Sequence, residues 1–371
     1  MVRDRRCRMS SALLRPISFA AGMAWLLAGC TWMMARQPTP VPGPGRLDVP
    51  RPTVTQIGVG ANPNPTGPRM NPFVAQVRPP GGRVAPNPYG WLEDVHSART
   101  RQWIRVENQG SAKALAAIPQ RGWIRRRLTQ VQSAGPAGDV VVERAVYAGP
   151  DGAALPMEIA HRRDLPRDGN RPTLLTVYRS TRKPRGALLD TFVRVWLEMG
   201  GVYARAEVRD GLAATPAPRG AATLPDRSVA LSDLFAAGQW LIDRHYTRRA
   251  RLGISGRGFA GLMAGTAVTL RPDFFGAALP TGTWPQYRQI ASGNCFPPTL
   301  IVTAERDGTI RPWEGYELAA VLQAQQICRH PILIQVESDA GPEESASAKR
   351  ERAADELAFA SKWLGAQPPH P

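Results

Sequence analysis

The chain has 371 residues, 43% of them hydrophobic, enough for one large domain with extensions or for two domains. Its 47 Lys and Arg against 30 Asp and Glu leave a formal charge of +17, which raises nucleic acid or an anionic membrane as partners. No zinc-finger, RNA-binding or helix-turn-helix pattern supports nucleic acid, and lysine stands only at Lys113, Lys183, Lys349 and Lys362, so the excess is arginine on solvated faces.

Arg3, Arg5, Arg6 and Arg8 form a basic start, followed by an apolar run over Ile17–Ala28 broken only by Ser18. The run is short for a bilayer span and has the length of a signal-peptide core. It ends in Leu26-Leu27-Ala28-Gly29-Cys30, similar to the bacterial lipobox, in which the cysteine thiol takes the acyl chains. The expectation is a signal peptide over 1–29, a lipid on Cys30 and residence in the cell envelope on the periplasmic side. Thr31 after the cysteine, in place of aspartate, points by analogy to the outer membrane. Removing 1–29 takes away five arginines and one aspartate and leaves +13.

Gln37–Pro88 carries fourteen prolines and no helical periodicity. Such composition extends and acts as a semi-rigid spacer, so residues 30–87 are expected to be a disordered tether. From Tyr89 the pattern changes. Trp91, Trp103, Val106, Leu115 and Ile118 recur at mostly helical spacing, and Trp123–Val131 predicts a further helix. Residues 88–132 are therefore read as an N-terminal helical segment, and Ser133–Gly138 as a turn-rich break.

From Val140 strands and helices alternate. Strands are predicted at Val140–Tyr147, Leu155–Arg162, Thr173–Tyr178, Gly201–Val208, Arg251–Ser255, Thr299–Thr303 and Ile332–Glu337. Helices are predicted at Leu188–Met199, Leu231–Arg244, Gly261–Leu270, Tyr316–Gln326 and Ala346–Leu364. An antiparallel opening pair followed by β-α repetition predicts an α/β fold, a mainly parallel sheet with helices on both faces, over 139–365, with 366–371 as a tail.

Several motifs in order carry a resemblance. They are Pro88-Tyr89-Gly90-Trp91-Leu92-Glu93-Asp94, Asp168-Gly169-Asn170-Arg171-Pro172, Trp196-Leu197-Glu198-Met199-Gly200-Gly201-Val202-Tyr203, Leu252-Gly253-Ile254-Ser255-Gly256-Arg257 and Arg271-Pro272-Asp273-Phe274-Phe275-Gly276-Ala277. Together they resemble the prolyl oligopeptidase family of serine peptidases, which implies an α/β-hydrolase fold. The family's β-propeller, expected near Ser133–Gly138, has no room there.

The resemblance also places the chemistry. The family's nucleophile elbow, G-x-S-x-G-G, lifts a serine oxygen on a strained strand-to-helix turn. Here it reads Gly256-Arg257-Gly258-Phe259-Ala260-Gly261, with Gly258 at the serine position, where no acyl-enzyme can form. The catalytic acid is matched by Asp307 in Glu305-Arg306-Asp307-Gly308, but without a histidine to orient it reads as a turn residue. The histidine position is taken by Pro342. None of His96, His161, His245, His330 and His370 replaces it from chain order. The oxyanion strand end, Thr176-Val177-Tyr178-Arg179, keeps a tyrosine and lacks the family's glycines.

Three readings stay open. The first is a non-catalytic binding or scaffold protein whose cleft takes a peptide or an anionic group through Arg257, Arg306 and Arg311, with Arg179 beside them. The second is a hydrolase with its nucleophile relocated to Ser255. The third is a remnant without selected function. No cofactor is implied, and no metal-ligand spacing occurs. In this fold the two strands that follow Cys295 and Cys328 by four residues are parallel neighbours, so a disulfide between them is expected in an oxidising compartment.

Overall fold

The computed structural model describes residues 87–131, 139–182, 188–209, 228–282, 293–306, 311–339 and 344–369. Cys30, the expected signal peptide, the expected tether up to residue 86, Asp307, Pro342 and His370 lie outside them. Among the described residues no helix is long and apolar enough to cross a membrane.

Eight strands form one sheet in the order β1-β2-β4-β3-β5-β6-β7-β8. The strands β1 (Val140–Ala148) and β2 (Ala154–Arg162) form a hairpin, and β2 runs antiparallel to β4 (Val202–Val208). From β4 onward, through β3 (Thr173–Arg179), β5 (Leu252–Arg257), β6 (Ala277–Thr281), β7 (Thr299–Arg306) and β8 (Ile332–Asp339), all pairings are parallel. This is the α/β-hydrolase fold. Consecutive apolar residues serve both faces, as a doubly covered parallel sheet requires. Leu174 packs on one side and Leu175 on the other.

Helices α4 (Ser228–Asp243) and α5 (Phe259–Leu270) cover one face at the β1–β5 side. Helix α6 (Pro312–Gln325) continues that layer beside β7 and β8. Helices α3 (Thr191–Glu198) and α7 (Ala346–Leu364) cover the other face, with α2 (Arg121–Val131) packed on α3 and α7. The helix α1 (Ala98–Ala116) lies against β8, with Thr100, Trp103, Ile104, Glu107, Ser111 and Leu115 buried at spacings of three and four. Ser97 caps it by accepting from the Thr100 amide. The N-terminal helices are thus part of the layers around one sheet. Only residues 132–139 separate α2 from β1.

Several elements differ from expectation, most of them by two to four residues at one end. The strand β6 was not anticipated, because Pro280 argues against a central strand, yet all five of its residues are buried and Pro280 stands opposite Gly256. The helix α6 begins at Pro312, whose fixed φ suits a first helical turn, not at Tyr316. Helix α3 begins after Asp190, which caps it by accepting from the Val193 amide. The expected tail is also partly packed: Ala366 is buried and the Gln367 amide donates to the Met199 carbonyl.

Candidate functional site

The parallel strands place their carboxyl ends together, where ligands of such sheets bind. Leu175 stands opposite Ile254, so Arg179 is level with Gly258 one strand away. Arg257 stands opposite Thr281, and Thr281 opposite Val302.

Between β5 and α5 the chain makes a tight turn. Gly258 has φ 59° and ψ −118°, a conformation that disfavours side chains. Its amide donates to the Thr281 carbonyl (3.0 Å) and its carbonyl accepts from the Leu262 amide (2.9 Å). Two flanking glycines are required by space. A Cβ at Gly256 would lie 2.2 Å from the Ala260 Cβ, and one at Gly261 would lie 2.2 Å from the Thr281 carbonyl oxygen. At Gly258 itself an added Cβ would meet nothing within 4 Å among the described residues. The backbone therefore has the form of a nucleophile elbow, with no side-chain oxygen where the nucleophile would stand.

Among the described residues, the groups around this turn are polar and include no serine or histidine side chain at the elbow position. The Arg179 guanidinium lies 4.9 Å from the centre of the Phe259 ring, over the residue that follows Gly258. Tyr178 on the same strand end is turned to Glu207, and burial and that carboxylate push its phenol up to about 12. Arg257 is exposed at the end of β5. Arg311 precedes α6 and lies over Trp313 at 5.9 Å. Arg306 is on the last position of β7, four residues beyond Val302.

Beneath the turn lies a cluster that sequence reasoning missed. The Thr281 hydroxyl donates to Glu356 of α7 (3.1 Å). Burial pushes the Glu356 carboxyl up to about 7, against the opposing pull of Arg352 and Arg257. Arg352, one helical turn earlier, is buried and bonds Glu344 (2.6 and 2.9 Å) and Glu337 near the end of β8 (2.5 Å). Burial also raises Glu337, with Arg352 acting the other way. Arg352 and Glu356 at i and i+4 on an alanine-rich helix were a visible signal. Their partners, up to 75 residues away, were not.

The histidines are placed elsewhere. His161 ends β2, where its Nε2 meets Glu143 (2.9 Å), and His245 precedes β5 with its carbonyl accepting from Gly169. His330 precedes β8, its Nδ1 2.9 Å from the Phe296 carbonyl. These three lie at the amino ends of the parallel strands, opposite the elbow. His96 is exposed in the turn before α1. Ser255 is inside β5, paired with Leu279 and three residues short of the turn. Cys295 and Cys328 are joined as a disulfide with Cα atoms 5.1 Å apart, also at the amino-end edge. A cavity of about 750 Å³ opens at that same far end beside Trp123 and Leu197, and its arginines are largely paired: Arg127 with Glu198, Arg162 with Asp164 and Arg163 with Asp139. It shares no residue with the elbow.

Sheet order, elbow and helix layers together define an α/β-hydrolase domain. Residues 190–283 match the prolyl oligopeptidase family of S9 peptidases. The prolyl endopeptidase of Elizabethkingia meningoseptica is 28% identical over 262 residues, covering 61% of this chain and 37% of that protein. An uncharacterized peptidase of Rickettsia prowazekii is 31% identical over 160 residues, 42% of this chain and 22% of its own. A solved prolyl endopeptidase structure superposes with a TM-score of 0.55 at 28% identity, covering 62% of this chain and 39% of its own. A post-proline cleaving enzyme of Rickettsia typhi shares the fold at 21% identity and a TM-score of 0.52, covering 62% of this chain and 38% of its own. Over these residues the chain is similar to the prolyl oligopeptidase family, and it spans little more than a third of the length of the prolyl endopeptidases it matches.

Proposed function

We propose that this protein is a lipid-anchored, non-hydrolysing member of the prolyl oligopeptidase family that binds peptides or other carboxylate-bearing groups at the carboxyl ends of its sheet. The observation that carries the reading is Gly258: the elbow is built, and the position that would hold the nucleophile has no side chain. The first-turn amides of α5 and the Arg179 guanidinium above Phe259 are donors suited to a carboxylate. Arg257 adds a second positive group at the same strand ends. Removing one member of a triad leaves a residual rate of about 10³–10⁴ over water. Here the serine and histidine positions are both replaced in the sequence, by Gly258 and Pro342.

The test is titration of the mature protein with short proline-containing peptides bearing a free C-terminal carboxylate, and with their amidated forms. Tryptophan fluorescence reads binding, and peptide mass reads cleavage. Saturable binding of the free acids, weakened in the amides and without cleavage, is expected. Cleavage, or no binding of any peptide, would overturn the reading.

The anchor belongs to the same proposal. Support comes from the basic start, the apolar run and Cys30. Radiolabelled palmitate should enter the wild type in bacterial cells and not a Cys30→Ala variant, with the wild type fractionating with the outer membrane. Equal labelling of both would remove the anchor from the account.

A further inference from the structure

The last strand, β8, is at an end of the sheet, where a free edge offers unpaired amides and carbonyls to any other strand. On this edge the offers are taken by side chains. Asn108 of α1 donates through Nδ2 to the Val336 carbonyl (2.9 Å) and accepts at Oδ1 from the Val336 amide (2.8 Å). One turn on, the Ser111 hydroxyl donates to the Ile334 carbonyl (2.8 Å) and accepts from the Ile334 amide (3.2 Å). Gln323 of α6 donates to the Ile332 carbonyl (3.1 Å) and to Glu107 of α1 (2.9 Å). Residues 332, 334 and 336 alternate along the strand, so these are successive outward positions of one edge. A neighbouring strand would bond those same groups.

We infer that α1 occupies the β8 edge as a surrogate for a ninth strand and thereby keeps the sheet from continuing into a second copy of this chain. The natural complement of an exposed edge strand is the same strand of an identical molecule about a two-fold axis. The run Ile332-Leu333-Ile334-Gln335-Val336 has the β-branched, apolar character that makes such pairing favourable. Asn108 and Ser111 suit the role because each presents a donor and an acceptor on a short side chain, the two functions of a peptide group. Their spacing of three residues on a helix climbs about 4.5 Å, and the two strand residues they serve are about 6.6 Å apart, a difference that side-chain reach takes up.

The experiment compares the full chain, carrying Cys30→Ala to exclude acylation, with the same chain bearing Asn108→Ala and Ser111→Ala. Hydrogen–deuterium exchange of peptides covering β8 and light-scattering mass are followed against protein concentration. With Asn108 and Ser111 intact, β8 should stay protected at every concentration. In the double variant at low concentration, exchange at Ile334 and Val336 should rise by about tenfold or more, the factor set by one or two lost net hydrogen bonds. At high concentration its mass should double and protection should return. If the double variant fails to fold, Ser111→Ala alone tests the Ile334 contacts with the Asn108 pair in place, and the same concentration dependence is expected on a smaller scale. Unchanged β8 exchange, or faster exchange with no association at any concentration, would overturn the inference. So would association that leaves β8 exchanging fast, or concentration-dependent β8 protection with Asn108 and Ser111 intact.

Discussion

Gly258, Gly256 and Gly261 show two roles that one residue type plays within six positions. Gly256 and Gly261 are there because backbone and Ala260 crowd them; Gly258 has no neighbour within 4 Å of an added Cβ among the described residues, and an unusual φ. Substitution should sort them. Gly258→Ala adds only backbone strain, on the order of 1–3 kcal/mol. Gly261→Ala drives a Cβ into three carbonyl oxygens, at 2.2, 2.8 and 2.9 Å, and should cost more or prevent folding. Urea denaturation of both variants checks the order. Arg352 is the other residue whose loss should be large. It is buried between Glu344 and Glu337, so Arg352→Met leaves two carboxylates without their cation. A loss of about 3–5 kcal/mol is expected for breaking a buried pair from one side, read from the same denaturation curves at neutral pH.

At the scale of elements, the contact of α6 with α1 and with the chain that leads into it carries an unusual load of buried acid. Burial pushes Glu107, Glu314 and Glu317 up to about 7, with Gln323 opposing at Glu107, Arg311 at Glu314 and Asn87 at Glu317. Glu107 Oε1, Glu314 Oε2, the Tyr316 hydroxyl and the Trp103 indole N–H have no hydrogen-bond partner among the described residues. A carboxyl whose folded pKa is raised binds its proton more tightly in the native state. Its stabilisation is full below about 4.5 and is lost as pH rises through about 7. Thermal midpoints should therefore fall between about pH 5 and pH 8, and Glu107→Gln should flatten part of that slope in calorimetry. A flat profile in the wild type would contradict the assignment. The Cys295–Cys328 bridge closes a loop with a sequence separation of 33. Cys295→Ser with Cys328→Ser should cost about 3–4 kcal/mol on the chain-entropy account, measured by denaturant midpoint.

Elements with clear periodicity were legible in the sequence, and those ruled by their neighbours were not. Helix α7 runs from Ala346 to Leu364 as its pattern indicates, capped by Ser345. The strand β6 was hidden because Pro280 weighs against a strand locally, while flanking strands and burial on both faces hold it in the sheet. The role of α1 was hidden for another reason. Asn108 and Ser111 read as ordinary polar positions on a helix, and only the sheet edge brought to them shows what they bond. The elbow was legible because its geometry is local: six consecutive residues contain it. The polar cluster below was not, since Glu356, Thr281, Glu337 and Glu344 converge on it from three separate elements and a loop.

Taken whole, the molecule is a hydrolase sheet with N-terminal helices built into its layers and a short connection, residues 132–139, where larger relatives hold another domain in the expectation drawn from the family. Its four described histidines are away from the elbow: three sit at the opposite end of the sheet and one in an exposed turn. Ser255 is held in the strand below. The proposed binding role requires that no working nucleophile be present. The direct measurement is intact mass of the purified mature protein after treatment with a fluorophosphonate serine-hydrolase probe, beside a Ser255→Ala variant. No adduct on either protein is the predicted result. A stoichiometric adduct on the wild type would contradict the account, and its loss in Ser255→Ala would identify Ser255 as the nucleophile.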